Sequence, residues 1–293
     1  MAISIYEKQN DIILLKCLAA QRKEYSIVKR IKFLKLLFSA GLVTLLTILT
    51  TLIDNDYLSS VFTVLNMFIL VVSKNIEKVI EEKQLHAAAI QNYFDACCFN
   101  AVSDQQLISL NTIFVESEIA AIVSSVDSEL ESVKNWYSDF SSFSSYKQIL
   151  YCQNENINWD ARLRKFYKKI IIVFAIIGVM LLVIYGIATN IVFNSWMTII
   201  SFFLVIADCV YNTVHILNSD IRRLSKLSSV HKKAEVNSCS GLENYTDLLE
   251  LQKLIYEHRQ NCFLIPDFIY KIKKDVYQKH ENATAENLKL MEK

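Results

Sequence analysis

The chain has 293 residues, 53% of them hydrophobic, with a mean hydropathy of +0.26 and a formal net charge of +1. That apolar share is above what a soluble globular protein carries, and the near-neutral charge gives no global attraction to nucleic acid. Four glycines and a single proline, Pro266, leave too few turn formers for a β-rich fold, so the chain is expected to be all-helical.

Residues 1–35 open with an amphipathic helix over 5–32, on which Ile12, Ile13, Leu15, Ala19, Ile27 and Ile31 recur at roughly helical spacing. Glu7, Lys8, Asp11 and Lys16 precede any apolar run, unlike a cleavable signal peptide. Two apolar stretches follow, 36–53 and 57–73, joined by Asp54-Asn55-Asp56. Each matches the ~17–25 helical residues that a bilayer core of roughly 30 Å demands, so residues 36–73 form a first membrane hairpin. Residues 74–169 read as a cytoplasmic helical region. Ile76, Val79, Ile80, Lys83, Ala87, Ile90 and Phe94 continue the second span as a helix to about Phe99. Asp104 opens another helical candidate, with Leu107, Leu110, Ile113, Phe114, Ile119, Ile122 and Val126. The serines and aromatics from Trp136 to Ser145 read as a structured loop. Helix resumes over 152–167. Residues 170–217 form a second membrane hairpin from the stretches 170–189 and 196–217 around a loop at 190–195. Residues 218–293 hold a further cytoplasmic helix near 242–262, the stop at Pro266 and a last helical piece from Asp267. The expected fold is an all-α integral membrane protein with four transmembrane helices as two hairpins.

Basic residues near spans stay on the cytoplasmic side. Lys29, Arg30, Lys32 and Lys35 precede the first span, and Lys74 and Lys78 follow the second. Arg162, Arg164, Lys165, Lys168 and Lys169 precede the third, and Arg222, Arg223 and Lys226 follow the fourth. The two hairpin loops hold no Lys or Arg, so both termini and the middle region are expected in the cytoplasm. Tyr57, Phe193 and Trp196 stand where interfacial aromatics belong. Residues 75–158 carry twelve carboxylates against four lysines, a net −8 that argues against a phosphate backbone. The juxtamembrane cations instead suit anionic headgroups. Seven cysteines, one of them Cys209 inside a span, give no disulfide framework, and adjacent Cys97 and Cys98 lack metal-ligand spacing.

Polar side chains are costly in a bilayer and mark function or helix contact. Ser201, Asp208, Asn212, His215 and Ser219 are spaced 7, 4, 3 and 4 apart, which puts them on one face of the fourth span. The second span offers Ser59, Thr63, Asn66 and Ser73, and the first Thr44, Thr47 and Thr51. Ser201, Asp208, Asn212, His215, Asn66 and Thr63 are the candidate pore-lining residues. Asp208 has three readings: a lumen-facing carboxylate, a helix–helix hydrogen bond, or a proton relay. Gly178 and Gly186 on the third span allow a close crossing but serve equally as ordinary membrane glycines. No catalytic or metal motif is present, so neither enzymatic activity nor a cofactor is expected.

Short patterns recur in order around these hairpins. They include Gln9-Asn10, Leu18-Ala19-Ala20-Gln21-Arg22, Ile90-Gln91-Asn92-Tyr93-Phe94-Asp95 and Asn135-Trp136-Tyr137-Ser138-Asp139. Cys152-Gln153-Asn154-Glu155-Asn156, Trp159-Asp160, Leu163-Arg164-Lys165-Phe166-Tyr167, Leu251-Gln252, Ile255-Tyr256, His258-Arg259 and Ile265-Pro266-Asp267 follow. Over nearly its whole length the chain resembles the SMODS-associated four-transmembrane family of pore-forming effectors. It departs from the pattern where the loop usually reads Trp-Tyr-Pro-Asp, because Ser138 replaces the proline and should loosen the loop. The resemblance implies a bacterial anti-phage effector that permeabilises the inner membrane when a nucleotide second messenger signals infection, killing the cell. It implies as partners the bilayer, further copies of the chain, and the second messenger or its synthase system. A cyclic nucleotide would be the activating ligand. Trp136, Tyr137, Asp139, Gln153, Asn156, Trp159, Asp160, Arg164, Tyr256, Arg259 and Pro266 are the sensor or oligomerisation candidates. A base could stack on an exposed Trp or Tyr while Arg164 or Arg259 meets phosphate. The same aromatics equally serve to pack the cytoplasmic helices. The rival function is a non-conducting membrane scaffold that recruits a cytoplasmic partner. An ion-coupled transporter would need more spans and broken helices.

Overall fold

The computed structural model describes residues 3–42, 45, 46, 49, 56–103, 127–189 and 193–292, and among them the regular structure is entirely helical. The chain divides into two compact units, Met1–Trp136 and Tyr137–Lys293.

The first unit begins with a short α1 (Ile5–Lys8). Ser4 and Glu7 cap it reciprocally, each side chain accepting from the other's backbone N–H at 3.2 and 3.3 Å. The chain then turns, and α2 runs over Ile12–Leu36. The expected single helix over 5–32 is therefore broken at Gln9–Asp11. Its buried face is Leu14, Leu15, Leu18, Ala19 and Val28, and Ile12 and Ile13 stand exposed in the first turn. Leu14 and Leu15 set the helical phase, which carries those two isoleucines to the open side. A π-helical turn, Leu37–Leu42, follows α2. The other residues of the expected first span that lie outside the described ones include Thr44, Thr47 and Thr51.

Helix α3 (Asp56–Val102) is a single rod of 47 residues, about 70 Å at 1.5 Å per residue. It leaves the apolar stretch without a break and ends three residues past Phe99. Ile80, Ala87, Ile90 and Phe94 are buried as the stripe requires, and Val79 is exposed. Polar ties join α2 to α3: Lys35 pairs with Glu77, Lys83 with Glu24 at 3.3 Å, and Lys32 donates to Gln84 at 3.1 Å. The helical candidate from Asp104 lies outside the described residues. A 3-10 turn, Asp127–Val133, is tied to α2 by Arg22, which donates to Ser132 Oγ at 2.8 Å.

In the second unit, α4 (Ser145–Thr189) starts at Ser145 rather than at Cys152. Ser144 provides the start, its hydroxyl accepting from Lys147 N–H and its carbonyl from Gln148 N–H. Helix α5 (Phe193–Cys239) continues the fourth apolar stretch well beyond Leu217. It ends at Gly241, whose φ of 74° allows Leu242 N–H to bond Asn237 C=O at 2.9 Å. Helix α6 (Tyr245–Asn261) is capped by the Asn244 side chain, and α7 (Asp267–Met291) follows Pro266. These two match the expected tail helices closely.

Segments of α3 (Ser60–Val102) and α4 (Ser145–Ala188) are long and apolar enough to cross a membrane. The most apolar window of α4 has mean hydropathy 3.1 and is only 6% buried, and that of α3 is 12% buried. A core helix of a soluble protein would be covered, and a signal sequence would sit at the N-terminus, so these exposed apolar surfaces fit lipid.

Candidate functional site

Where α4 meets its apolar stretch, the second unit buries a cluster of opposite charges. Arg164 is 3% exposed and Asp220 is fully buried. Arg164 Nε donates to Asp160 Oδ2 at 3.0 Å. Its Nη1 donates to Asp220 Oδ2 at 2.6 Å and to the Phe263 carbonyl at 2.8 Å. Asp220 also accepts from Phe263 N–H at 2.9 Å and from Arg223 at 2.8 Å. His258 Nε2 lies 2.7 Å from Asp160 Oδ2. The guanidinium thus joins α4, α5 and the loop before α7, and His258 brings in α6 through Asp160. Lys168 adds a second tie between α4 and α5, donating to Asn218 at 3.0 Å. Burial alone would raise the Asp160 carboxyl, but Arg164 and His258 outweigh it and hold Asp160 well below the usual carboxylate range. Burial works against the Arg164 charge too, and Asp160 and Asp220 more than restore it. The cluster works as a fixed electrostatic clamp at the foot of the second apolar pair.

The loop Tyr137–Ser144 is fastened to α4 and α7. Tyr137 is buried, and its hydroxyl accepts from Asn156 Nδ2 at 2.9 Å. Asp139 accepts from Lys289 at 2.8 Å and from Ser141 N–H at 3.0 Å. Ser138 N–H donates to Glu155 Oε2 at 2.9 Å, and Ser138 Oγ lies 3.2 Å from Glu155 Oε1 and 3.1 Å from Asn282 Oδ1. The loosening expected from a serine in place of proline is thus offset, because proline has no N–H to give Glu155. Burial pushes the Glu155 carboxyl up to about 8, the bonds from Ser138 notwithstanding.

The other sensor or oligomerisation candidates have the following surroundings. Trp159 meets Tyr277 edge-on at 5.6 Å and Tyr270 at 6.1 Å. Gln153 is fully buried and donates to the Leu248 carbonyl and to Gln252. Arg259 is buried on α6, Tyr256 is half-buried beside it, and the Pro266 carbonyl accepts from the Ile269 and Tyr270 N–H groups of α7. Trp136 is half-buried at the end of the first unit. Arg164 is buried, with Nε given to Asp160 and Nη1 to Asp220 and the Phe263 carbonyl.

The polar stripe of α5 behaves differently. Asp208, Asn212 and His215 are all exposed on the chain's surface. Asn212 Nδ2 donates to Asp208 Oδ2 at 3.0 Å, and the His215 ring stacks on Tyr211 at 6.2 Å. Asp208 therefore bonds along its own helix. The Ser201 side chain lies outside the described ones. On α3, Thr63 is exposed and Asn66 half-buried, with the Asn66 amide oxygen buried and unpartnered among the described residues.

Sequence reasoning missed Asp220 and His258 as clamp members. Asp220 had a signal: it is the sole carboxylate in the basic flank Asn218–Lys226, next to Arg222 and Arg223. His258 stood in the His258-Arg259 pattern, but nothing in the sequence paired it with Asp160, 98 residues away. Among the described residues no group of His, Cys, Asp and Glu could hold a metal ion.

The fold defines an all-helical membrane protein in which, within its own unit, each long helix continues from an apolar stretch into polar helix. The chain belongs to the SMODS-associating 4TM effector domain family, whose model matches residues 3–288. A "Probable CBASS effector molecule" of Bacillus cereus (strain VD146) is 24% identical over 237 residues, which is 79% of this chain and 78% of that protein. No solved structure matches the chain.

Proposed function

We propose that this chain is an anti-phage CBASS effector that opens a pore in the bacterial inner membrane when a nucleotide second messenger signals infection. Its four spans form two hairpins, with both termini and the middle region in the cytoplasm. Several copies assemble to enclose the lumen, and the chain acts without catalysis or a cofactor. Family membership and the name of the Bacillus cereus relative support the effector role. The observation that carries pore formation is the outward stripe of Asp208, Asn212 and His215 on α5. A carboxylate facing lipid is strongly unfavourable, so the stripe needs water or a neighbouring copy, and a ring of copies supplies both.

Dye leakage from liposomes holding the full chain tests this, with a panel of cyclic di- and mononucleotides added. Leakage is expected with one nucleotide and to be lost in Asp208→Leu. Leakage that persists at full rate in Asp208→Leu/Asn212→Leu would remove the stripe from the pore. Silence with every nucleotide, from correctly inserted protein, would overturn nucleotide gating in favour of a non-conducting scaffold.

A further inference from the structure

The geometry points to a binding site for anionic lipid headgroups, built jointly by α4 and the first turns of α7. Leu163, Ile265 and Ile269 form a small core, with Phe166, Ile170 and Phe263 packed around it. The Phe263 ring stacks on Tyr167 at 5.9 Å. Ile170 is the first residue of the apolar stretch, so α7 begins at the level where α4 enters the membrane. From there α7 runs away from the bilayer. Its later residues Tyr277, Glu281 and Asn282 meet Trp159, Arg162 and the Ser138–Glu155 pair, which belong to or pack on earlier parts of α4. Only the first turns of α7 remain at membrane level.

Those turns carry an apolar and cationic edge. Phe268 is 60% exposed although its neighbour Ile269 is buried. Lys271 is exposed, and the Lys273 ammonium sits 4.1 Å above the Phe166 ring. On α4, Lys169, one turn from Phe166, is exposed, and so is Lys165. None of these four lysines has a carboxylate partner among the described residues. Among the neighbouring acids, Asp160 and Asp220 are engaged in the clamp, and Asp267 and Asp275 lie on α7 itself. A phosphodiester headgroup matches unbalanced lysines at this depth, and the adjoining interface receives the Phe268 ring. The α4 lysines alone would be an ordinary basic flank. The two from α7 arrive by folding, and they fix the C-terminal helix to the leaflet. The inference needs a membrane protein but not a pore.

The test is native mass spectrometry of the full chain in detergent, titrated with phosphatidylglycerol or phosphatidylcholine. Phosphatidylglycerol should bind more tightly. Lys271→Gln/Lys273→Gln should weaken it by about tenfold or more, given ~1 kcal/mol per cation near a charged surface. Lys271→Arg/Lys273→Arg should retain the preference and guards against a folding defect in the glutamine pair. Equal binding of the two lipids, an unchanged preference in the glutamine pair, or its loss in the arginine pair would each overturn the proposal. So would displacement of phosphatidylglycerol by millimolar inorganic phosphate, which would mark a free-phosphate site. Displacement by neither phosphate nor phosphatidylcholine supports the lipid.

Discussion

Arg164→Met should destabilise the second unit by about 3–5 kcal/mol, the usual cost of removing one partner from a buried ion pair. The variant strands Asp220, which is fully buried and would keep only Arg223 and the Phe263 N–H. Asp160 would keep His258. A loss of that size lowers a melting temperature by roughly 10 °C in a unit of this length. Thermal melts in detergent followed by circular dichroism read the effect directly. Arg164→Met/Asp220→Leu separates charge from packing: once both charges leave, the uncompensated carboxylate is gone and much of the loss should return. A single variant that melts within about 2 °C of the parent would show that the clamp is not holding α4, α5 and α6 together. Because the clamp joins the feet of the two apolar stretches, the leakage assay on Arg164→Lys is a second readout. Lysine retains the charge but not the fork that reaches Asp160, Asp220 and Phe263 at once.

Helix type and extent were legible because long helices write a periodic pattern. The stripe Ile80, Ala87, Ile90 and Phe94 carried α3 past the apolar stretch, and Pro266 marked the start of α7. Boundaries set by local hydrogen bonds were less legible. The turn at Gln9–Asp11, where Asn10 N–H bonds the Glu7 carbonyl and Asp11 N–H the Lys8 carbonyl, splits the N-terminal helix, and Ser144 starts α4 earlier than the hydrophobic pattern does. Of the site, the α5 stripe was legible because its residues share one helix and fixed spacing. The clamp was only half legible: Trp159-Asp160 and Arg164 stand one helical turn apart on α4, which suggests their pairing. Asp220, His258 and Phe263 reach them only through packing of α5, α6 and the loop between α6 and α7, and nothing in a linear sequence encodes that meeting.

Glu155→Gln should flatten the pH dependence of stability and raise the melting temperature at pH 8. In the folded chain burial lifts the Glu155 carboxyl from 4.5 to about 8, with nearby Glu281 acting in the same direction. The folded state therefore holds a proton that the unfolded state has released above pH 4.5. Stability from this group is fully present below that unfolded value and declines as pH rises towards 8, by up to about 1.4 kcal/mol per pH unit. The bonds that Ser138 N–H and Oγ donate to Glu155 act the other way, favouring the ionised form, and burial outweighs them. Ser138 Oγ lies within bonding distance of both Glu155 Oε1 and Asn282 Oδ1, and a hydroxyl has one proton to give. A protonated Glu155 donates to Ser138 Oγ, which frees the hydroxyl to donate to Asn282, and Ser138 N–H still serves the other oxygen. Glutamine reproduces that pattern with its NH2 and carbonyl and cannot ionise. Arg162 stands 2.8 Å from Glu281, whose own carboxyl is raised by burial against that cation. Residual pH dependence in the variant is therefore expected, and the signal is the difference between the two curves. Melts between pH 5.5 and 8.5 should show the parent falling faster than Glu155→Gln. Parallel curves would mean that Glu155 is ionised in the folded chain, which would require the loop Tyr137–Ser144 to lift and let water reach the carboxylate.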